Sequence, residues 1–280
     1  MSPSVSRRVF LGSAALVSMA GESSAATEKP DALTLGLASY SLKDKKLTDV
    51  IQAAQLLGVR FVNIKPEAHL PYDSPPARIA EALRMLGDAG LQLAGTGTTY
   101  LQKNDEGEIR QRFEFNQALR SPLIVIGPTL ETLPVIERFV KEYNIQAAIH
   151  NHGPTDKFFP TPQSALNAIQ RMDRRVGLCM DIGHTLRSGV NPAAAAKQAG
   201  ARLLDIHAKD VRLVNGEWVG VDVGDGDIRI AALFRQLEKM AYRGCCNLEC
   251  EVNVDDKLPG MQKSFAYMRG VLAGLAAYQE

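Results

Sequence analysis

Four short apolar runs in this chain each turn polar at their last residues, and each ends on a side chain able to bind a metal ion. They are residues 146–152, closing on His150 and His152; residues 176–184, with Asp181 and His184; residues 203–210, with His207, Lys209 and Asp210; and residues 245–251, with Glu249 and Glu251. A strand that is apolar throughout and polar only at its C-terminal end is typical of a (β/α)8 barrel, where loops at that face carry the chemistry. Four such strands in one closed sheet bring His150, Asp181, His207 and Glu249 around a single point. Two carboxylates and two imidazoles there suit one divalent cation, with Mn²⁺ preferred and Co²⁺, Fe²⁺, Zn²⁺ or Mg²⁺ as the other candidates. Without a cation, Asp181 and Glu249 would repel each other in a poorly hydrated cavity.

The rest of the chain agrees with that architecture. Strand-like runs fall at residues 33–40, 61–65, 91–96, 123–126, 147–150, 177–181, 203–207 and 246–249. Amphipathic helical stretches lie between them, among them 47–57, 77–89, 133–143, 193–199 and 230–241, and 265–277 closes the chain. Strand and helix alternating at this spacing predict a parallel sheet, and eight units predict a single closed (β/α)8 TIM barrel over residues 27–280. No glycine-rich dinucleotide fingerprint, P-loop or Gly-x-Ser-x-Gly elbow occurs. Residues 211–227, with Trp218, read as a long irregular loop after the seventh strand, over the barrel mouth.

The first 26 residues are set apart. Arg7 and Arg8 precede Phe10 and an apolar stretch from Leu11 to Ala20, and small residues run through Ala26. That order predicts an export signal of twin-arginine type, a periplasmic destination and a mature form with no membrane anchor. The chain as a whole is 45% hydrophobic and 22% charged with a net charge of +1, which argues against a nucleic-acid partner. Cys179, Cys245, Cys246 and Cys250 lack zinc-ribbon spacing and read as buried free thiols.

Residues two apart in a strand share a face, so His150 points with His152, and Glu249 points with Asn247 and Glu251. His152 is thus a candidate general base or an orienting residue beside the site. His69, Lys65, Glu67 and Tyr40 follow the first two strands, and His69 is carried as a candidate substrate contact. Thr96, Thr98 and Thr99 end the third strand and offer hydroxyls, while Asp210 reads as a loop support.

Asp181 with His184, His207 with Lys209 and Asp210, and the approach from Gly244 to Glu249 resemble the xylose isomerase-like TIM barrel superfamily. It includes sugar isomerases, ketose 3-epimerases, inosose dehydratases and nucleases of the endonuclease-four type. The resemblance implies one metal held by His150, Asp181, His207 and Glu249, with substrate held by His184 and Lys209; Glu251 is the further candidate there. It also implies a small carbohydrate substrate and is compatible with a homo-oligomer. Epimerases of this family typically carry glutamate where this chain has His150, and use it with the eighth-strand glutamate as paired bases. Here the fifth strand reads His150, Asn151, His152, as in a His-Asn-His subgroup, leaving Glu249, His152 and His150 as the catalytic candidates. The expected reaction is sugar isomerisation or epimerisation through an enediolate. A 3-keto-glycoside or keto-polyol lyase on the same site is the chief alternative, ahead of an endonuclease-four-like hydrolase or a non-catalytic sugar-binding protein.

Overall fold

The computed structural model describes Met1 and residues 33–277, so the predicted export signal at 1–26, apart from Met1, lies outside the described residues, and the strands and helices counted below are those of the described residues. Ten strands are formed: β1 (Thr34–Ala38), β2 (Phe61–Ile64), β3 (Gln92–Leu101), β4 (Leu123–Pro128), β5 (Gln146–His150), β6 (Val176–Asp181), β7 (Leu203–Ala208), β8 (Asp210–Val214), β9 (Glu217–Val221) and β10 (Cys245–Leu248). All but β8 and β9 pair in parallel, each with its neighbour in the chain, and β10 pairs with both β7 and β1 to close the barrel. This is the (β/α)8 barrel read from the sequence.

Ten α-helices accompany them: α1 (Leu47–Leu56), α2 (Pro66–His69), α3 (Pro76–Asp88), α4 (Glu106–Ala118), α5 (Leu133–Tyr143), α6 (Pro162–Ala168), α7 (Ile182–Arg187), α8 (Pro192–Ala199), α9 (Ile230–Lys239) and α10 (Leu258–Ala277). Proline opens α2, α3, α6 and α8 at the first helical position, where its fixed φ suits the helix and its missing N–H costs nothing. Thr161 and Asn191 cap α6 and α8 through Ser164 N and Ala194 N. No helix among the described residues is long and apolar enough to cross a membrane.

The barrel strands are buried on both faces, which is why their sequences read as continuous apolar runs. Leu123, Val125, Ala148 and Cys179 pack inside the barrel, apart from the larger core between strands and helices. A Cβ added at Gly36 would come 2.4 Å from Asn247 Oδ1, so the first strand has room there for glycine alone. The four cysteines are buried and free, as expected.

Three differences from the sequence reading concern extents. β3 runs five residues past Thr96 to Leu101, and α10 begins at Leu258 rather than 265. The stretch 211–227 is not irregular throughout: β8 and β9 form an antiparallel hairpin in which Val214 faces Glu217. Its two-residue turn is Asn215-Gly216, both at positive φ (51° and 87°). That pair is a strong hairpin signal, because both residues tolerate the left-handed region that the turn requires.

Residues 222–229 then wrap around Asp210, whose carboxylate accepts from the backbone N–H of Val211, Gly224, Gly226 and Ile228 at 2.9–3.2 Å. A Cβ at Gly226 would lie 2.1 Å from Asp210 Oδ1, so the loop closes only over glycine. Asp210 is the loop support that its position suggested. Replacing it by alanine strands several buried N–H groups, and Asp210→Ala is expected to lower unfolding free energy by about 2–3 kcal/mol. Urea denaturation checks this; an unchanged midpoint would refute the role.

Candidate metal centre at the barrel mouth

Asp181 is the last residue of β6 and the N-cap of α7. Its Oδ1 accepts from His184 N at 2.7 Å, which fixes the carboxylate and turns Oδ2 toward the barrel axis. Asn151, the middle residue of the His-Asn-His run, ties the neighbouring strand end to this cap. Its Oδ1 accepts from Asp181 N at 3.1 Å, and its Nδ2 donates to Thr185 Oγ1 at 3.2 Å.

Around Oδ2 the other three predicted ligands converge. His150 Nε2 lies 3.5 Å from Asp181 Oδ2 and 3.0 Å from His207 Nδ1, and His207 Nδ1 lies 3.2 Å from Glu249 Oε1. One donor atom from each of the four residues falls within 4.8 Å of all the others, and all four side chains are buried. Four donors about 2.1 Å from a common centre stand roughly 3.4 Å apart in a tetrahedron, close to these spacings. Asp181 Oδ2 meets the Lys209 ammonium at 2.8 Å, and neither His150 Nδ1 nor His207 Nε2 has a hydrogen-bond partner. Two ring nitrogens face to face beside two carboxylate oxygens have few protons to share, so the set fits a cation.

The charges agree. Burial pushes the His150 imidazole down to about 3, so it is neutral and available as a ligand. Burial would raise the carboxyls of Asp181 and Glu249, but the Lys209 ammonium holds both well below the usual range. Burial would lower Lys209, yet Asp181 and Glu249 hold it well above its ordinary value. The Lys209 ammonium sits 2.8 Å from Asp181 Oδ2, 2.7 Å from Glu249 Oε2 and 2.5 Å from Glu251 Oε2. Gly183 makes that reach feasible, since a Cβ there would meet Lys209 Cγ at 2.6 Å.

The sequence-derived candidates divide as follows. His150, Asp181, His207 and Glu249 form the donor set, with Lys209 and Glu251 against it. His184 and His152 flank it, with ring centroids 6.1 and 4.3 Å from that of His150. Burial and then His184 lower the His152 imidazole. His69 is not part of this group: it is buried at the end of α2, with Nδ1 3.1 Å from Lys45 O and Nε2 3.2 Å from Ser39 O, bridging two stretches of backbone. Thr96 and Thr99 are likewise committed, to Asn116 and Tyr72. Lys65 ion-pairs with Glu67 at 3.0 Å and Tyr40 approaches Lys43 on the exposed rim.

Further residues stand beside the donor set. Asp205, two before His207 on the same face, is buried beside it, with its Oδ2 3.9 Å from His207 Nε2. Asn247 Nδ2 donates to Asp205 Oδ1 at 2.9 Å, and Cys179 Sγ lies 3.7 Å from Oδ2. Burial raises the Asp205 carboxyl to about 7 against the pull of His207. Tyr100, near the end of the extended β3, reaches His152 at 3.0 Å.

Residues 131–271, half of the chain, match the Xylose isomerase-like TIM barrel family, and the chain belongs to it. The rhizopine catabolism protein MocC of Rhizobium meliloti is 27% identical over 133 residues, covering 42% of this chain and 40% of that protein. The chain thus aligns with well under half of that relative's length. Among solved structures, 3-keto-D-glucoside 4-epimerase YcjR from E. coli superposes with a TM-score of 0.71 at 16% identity over 85% of this chain and 99% of that one. The IOLI protein with a bound zinc atom superposes with a TM-score of 0.73 at 16% identity, over 86% and 99%. At these identities the structures show a shared fold.

The purified chain loaded with Mn²⁺ or Zn²⁺ is expected to retain about one ion per chain by elemental analysis. Asp181→Asn should weaken binding beyond the roughly 10–100-fold cost of losing an outer-shell partner. His69→Gln should leave stoichiometry and affinity unchanged; metal loss in that variant instead would move the centre elsewhere.

Proposed function

We propose that this chain is a metal-dependent sugar isomerase or epimerase that removes a proton α to a carbonyl. The carrying observation is the convergence of His150, Asp181, His207 and Glu249 on one point at the C-terminal face of the barrel. A divalent cation held by these four residues would supply the positive charge that stabilises an enediolate developing on a carbonyl and its neighbouring hydroxyl.

Glu249 is the base. Its Oε1 belongs to the donor set, while its Oε2 faces the Lys209 ammonium, which keeps the carboxylate ionised and aimed. Asp181 has no oxygen to spare, because Oδ1 caps α7 and Oδ2 faces the donor set. His184, on the first turn after β6, and Glu251, at the rim, stand where substrate hydroxyls would be gripped. The name of the E. coli 3-keto-D-glucoside 4-epimerase makes keto sugars the first substrates to try.

The alternative of β-elimination from a 3-keto-glycoside or keto-polyol is favoured by one observation: of the carboxylate oxygens in the donor set, Glu249 Oε2, beside Lys209 at 2.7 Å, is the one left to take a proton. One base suffices for elimination, whereas inversion at carbon needs a proton returned to the opposite face. As part of the same proposal, residues 1–26 direct export by the twin-arginine route. Retention of an Arg7→Lys, Arg8→Lys full-length chain in the cytoplasm would support it.

Incubation of Mn²⁺-loaded protein in D₂O with D-fructose, D-tagatose and methyl 3-keto-β-D-glucopyranoside separates the reactions. Deuterium entering the sugar with the glycosidic bond intact marks isomerisation or epimerisation; release of methanol marks elimination. Glu249→Gln should abolish either, a loss of at least about 10³-fold for removing both a ligand and the base. Turnover that survives in this variant would sink the assignment.

A further inference from the structure

A second hydrogen-bonded chain stands on the opposite side of the mouth from Glu249. Asp156 is fixed first: its Oδ1 accepts from Phe158 N and Phe159 N at 2.7 and 2.8 Å, which leaves Oδ2 for His152 Nδ1, 3.3 Å away. The His152 backbone N–H donates in turn to Phe159 O at 3.1 Å, so residues 152–159 close as one unit. Asp156 is an acceptor, so His152 Nδ1 carries the proton. His152 Nε2 is then bare and accepts from the Tyr100 hydroxyl, 3.0 Å away.

Tyr100 is held for this contact. Its ring is stacked on His152, with centroids 5.6 Å apart and planes 25° apart, and the Lys65 ammonium lies 5.5 Å from its centroid. It lies over Gly127, where a Cβ would come 2.8 Å from Tyr100 Cδ1. The side chain is nevertheless about half exposed, at 50%, and so open to a ligand.

We propose that Tyr100 is a catalytic residue that receives a hydroxyl of the bound sugar, with Asp156 as the positioning residue acting through His152. Donation runs in one direction, from His152 to Asp156 and from Tyr100 to His152. The lone pairs of the Tyr100 oxygen are therefore what remains to meet substrate, and the group that satisfies them is an O–H donor. This subsite selects a free hydroxyl over an ether or a carbonyl oxygen. It rests on reading the mouth as a sugar site, and it gives His152 a role other than direct proton abstraction.

The test has two arms on the full chain. Long-range ¹H–¹⁵N correlation of ¹⁵N-histidine-labelled protein reads the His152 tautomer, assigned by its loss in His152→Gln. The expected result is a protonated Nδ1 and a bare Nε2 whose resonance moves in Tyr100→Phe, with the tautomer preference lost in Asp156→Asn. A protonated Nε2, or an Nε2 resonance indifferent to Tyr100→Phe, overturns the proposal. In the second arm the D₂O exchange assay is repeated with the three named sugars. Tyr100→Phe should lower kcat roughly 10–100-fold with metal content unchanged, the cost of one hydrogen bond to the reacting substrate. Gly127→Ala, which displaces the ring but keeps the hydroxyl, should show a comparable loss, and adding Asp156→Asn to Tyr100→Phe should cost nothing further. Exchange that proceeds normally in Tyr100→Phe overturns the role of Tyr100 and leaves the sugar reading standing. No exchange by the unaltered protein removes the sugar reading and this role with it.

Discussion

Two buried carboxylates that face each other at one end of the barrel dictate most of what surrounds them. The donor oxygens of Asp181 and Glu249 are no more than 4.8 Å apart, and both side chains are almost wholly excluded from water. At an effective dielectric near 20, two unit charges at that distance repel by about 3–4 kcal/mol. Burial alone would therefore drive one of them to take up a proton. Lys209 prevents this by placing its ammonium between them, and a sequence that keeps Asp181 and Glu249 must also keep whatever lets Lys209 reach. Gly183 is one such requirement, since the lysine stem crosses the space its side chain would fill.

The same constraint explains residues that look incidental in isolation. Asp181 aims one oxygen at the centre because the other is consumed by capping α7 through the backbone N–H of His184. Asn151 sits between two histidines because its amide locks the ends of β5 and β6 together through Asp181 N and Thr185. Gly153, at φ 85°, turns the chain directly after His152, and a Cβ there would meet His184 Nδ1 at 2.9 Å. The histidines can crowd the mouth because the residue between their strands has no side chain.

Much of this was legible in the sequence for a simple reason. A strand buried on both faces is apolar until it leaves the core, so a ligand at its C-terminal end stands out against the run before it. That is why the barrel and the four donors were readable, each from its own strand. The third strand hid Tyr100 behind Thr96, Gly97 and Thr98, which look like a strand end; β3 instead continues to Leu101 and carries Tyr100 to the rim. The hairpin was missed although Asn215-Gly216 announces it, because its strands are five residues each and Leu213, Val214 and Val219 are exposed, so no alternation of buried apolar and outward polar residues marks them. α4 was faint for a different reason: its charged side chains pair with one another around Arg110 and Arg112, so few apolar positions mark a buried face. His69 misled because a histidine after a strand looks available, whereas burial and two backbone carbonyls employ it as a brace.

The histidine at position 150 has a consequence beyond ligand identity. A donor set with three carboxylates would leave one negative charge uncompensated after binding a divalent cation, whereas His150, Asp181, His207 and Glu249 contribute only two. Lys209 and Glu251 cancel each other, so the loaded centre is close to neutral. On the proposed reading, the pull of a bound cation on a substrate carbonyl would be correspondingly greater, and an α proton would become removable by one carboxylate. The carboxylate missing from β5 is not replaced by another charged base at that position. What stands across the mouth is the neutral pair of Tyr100 and His152, held to the single charge of Asp156 at 3.3 Å. A neutral chain of that kind can orient hydroxyls without adding a third negative charge to a cavity that already confines two. In this chain, His150 in the donor set and the Tyr100–His152 pair across the mouth both stand where a further carboxylate would add negative charge to the centre.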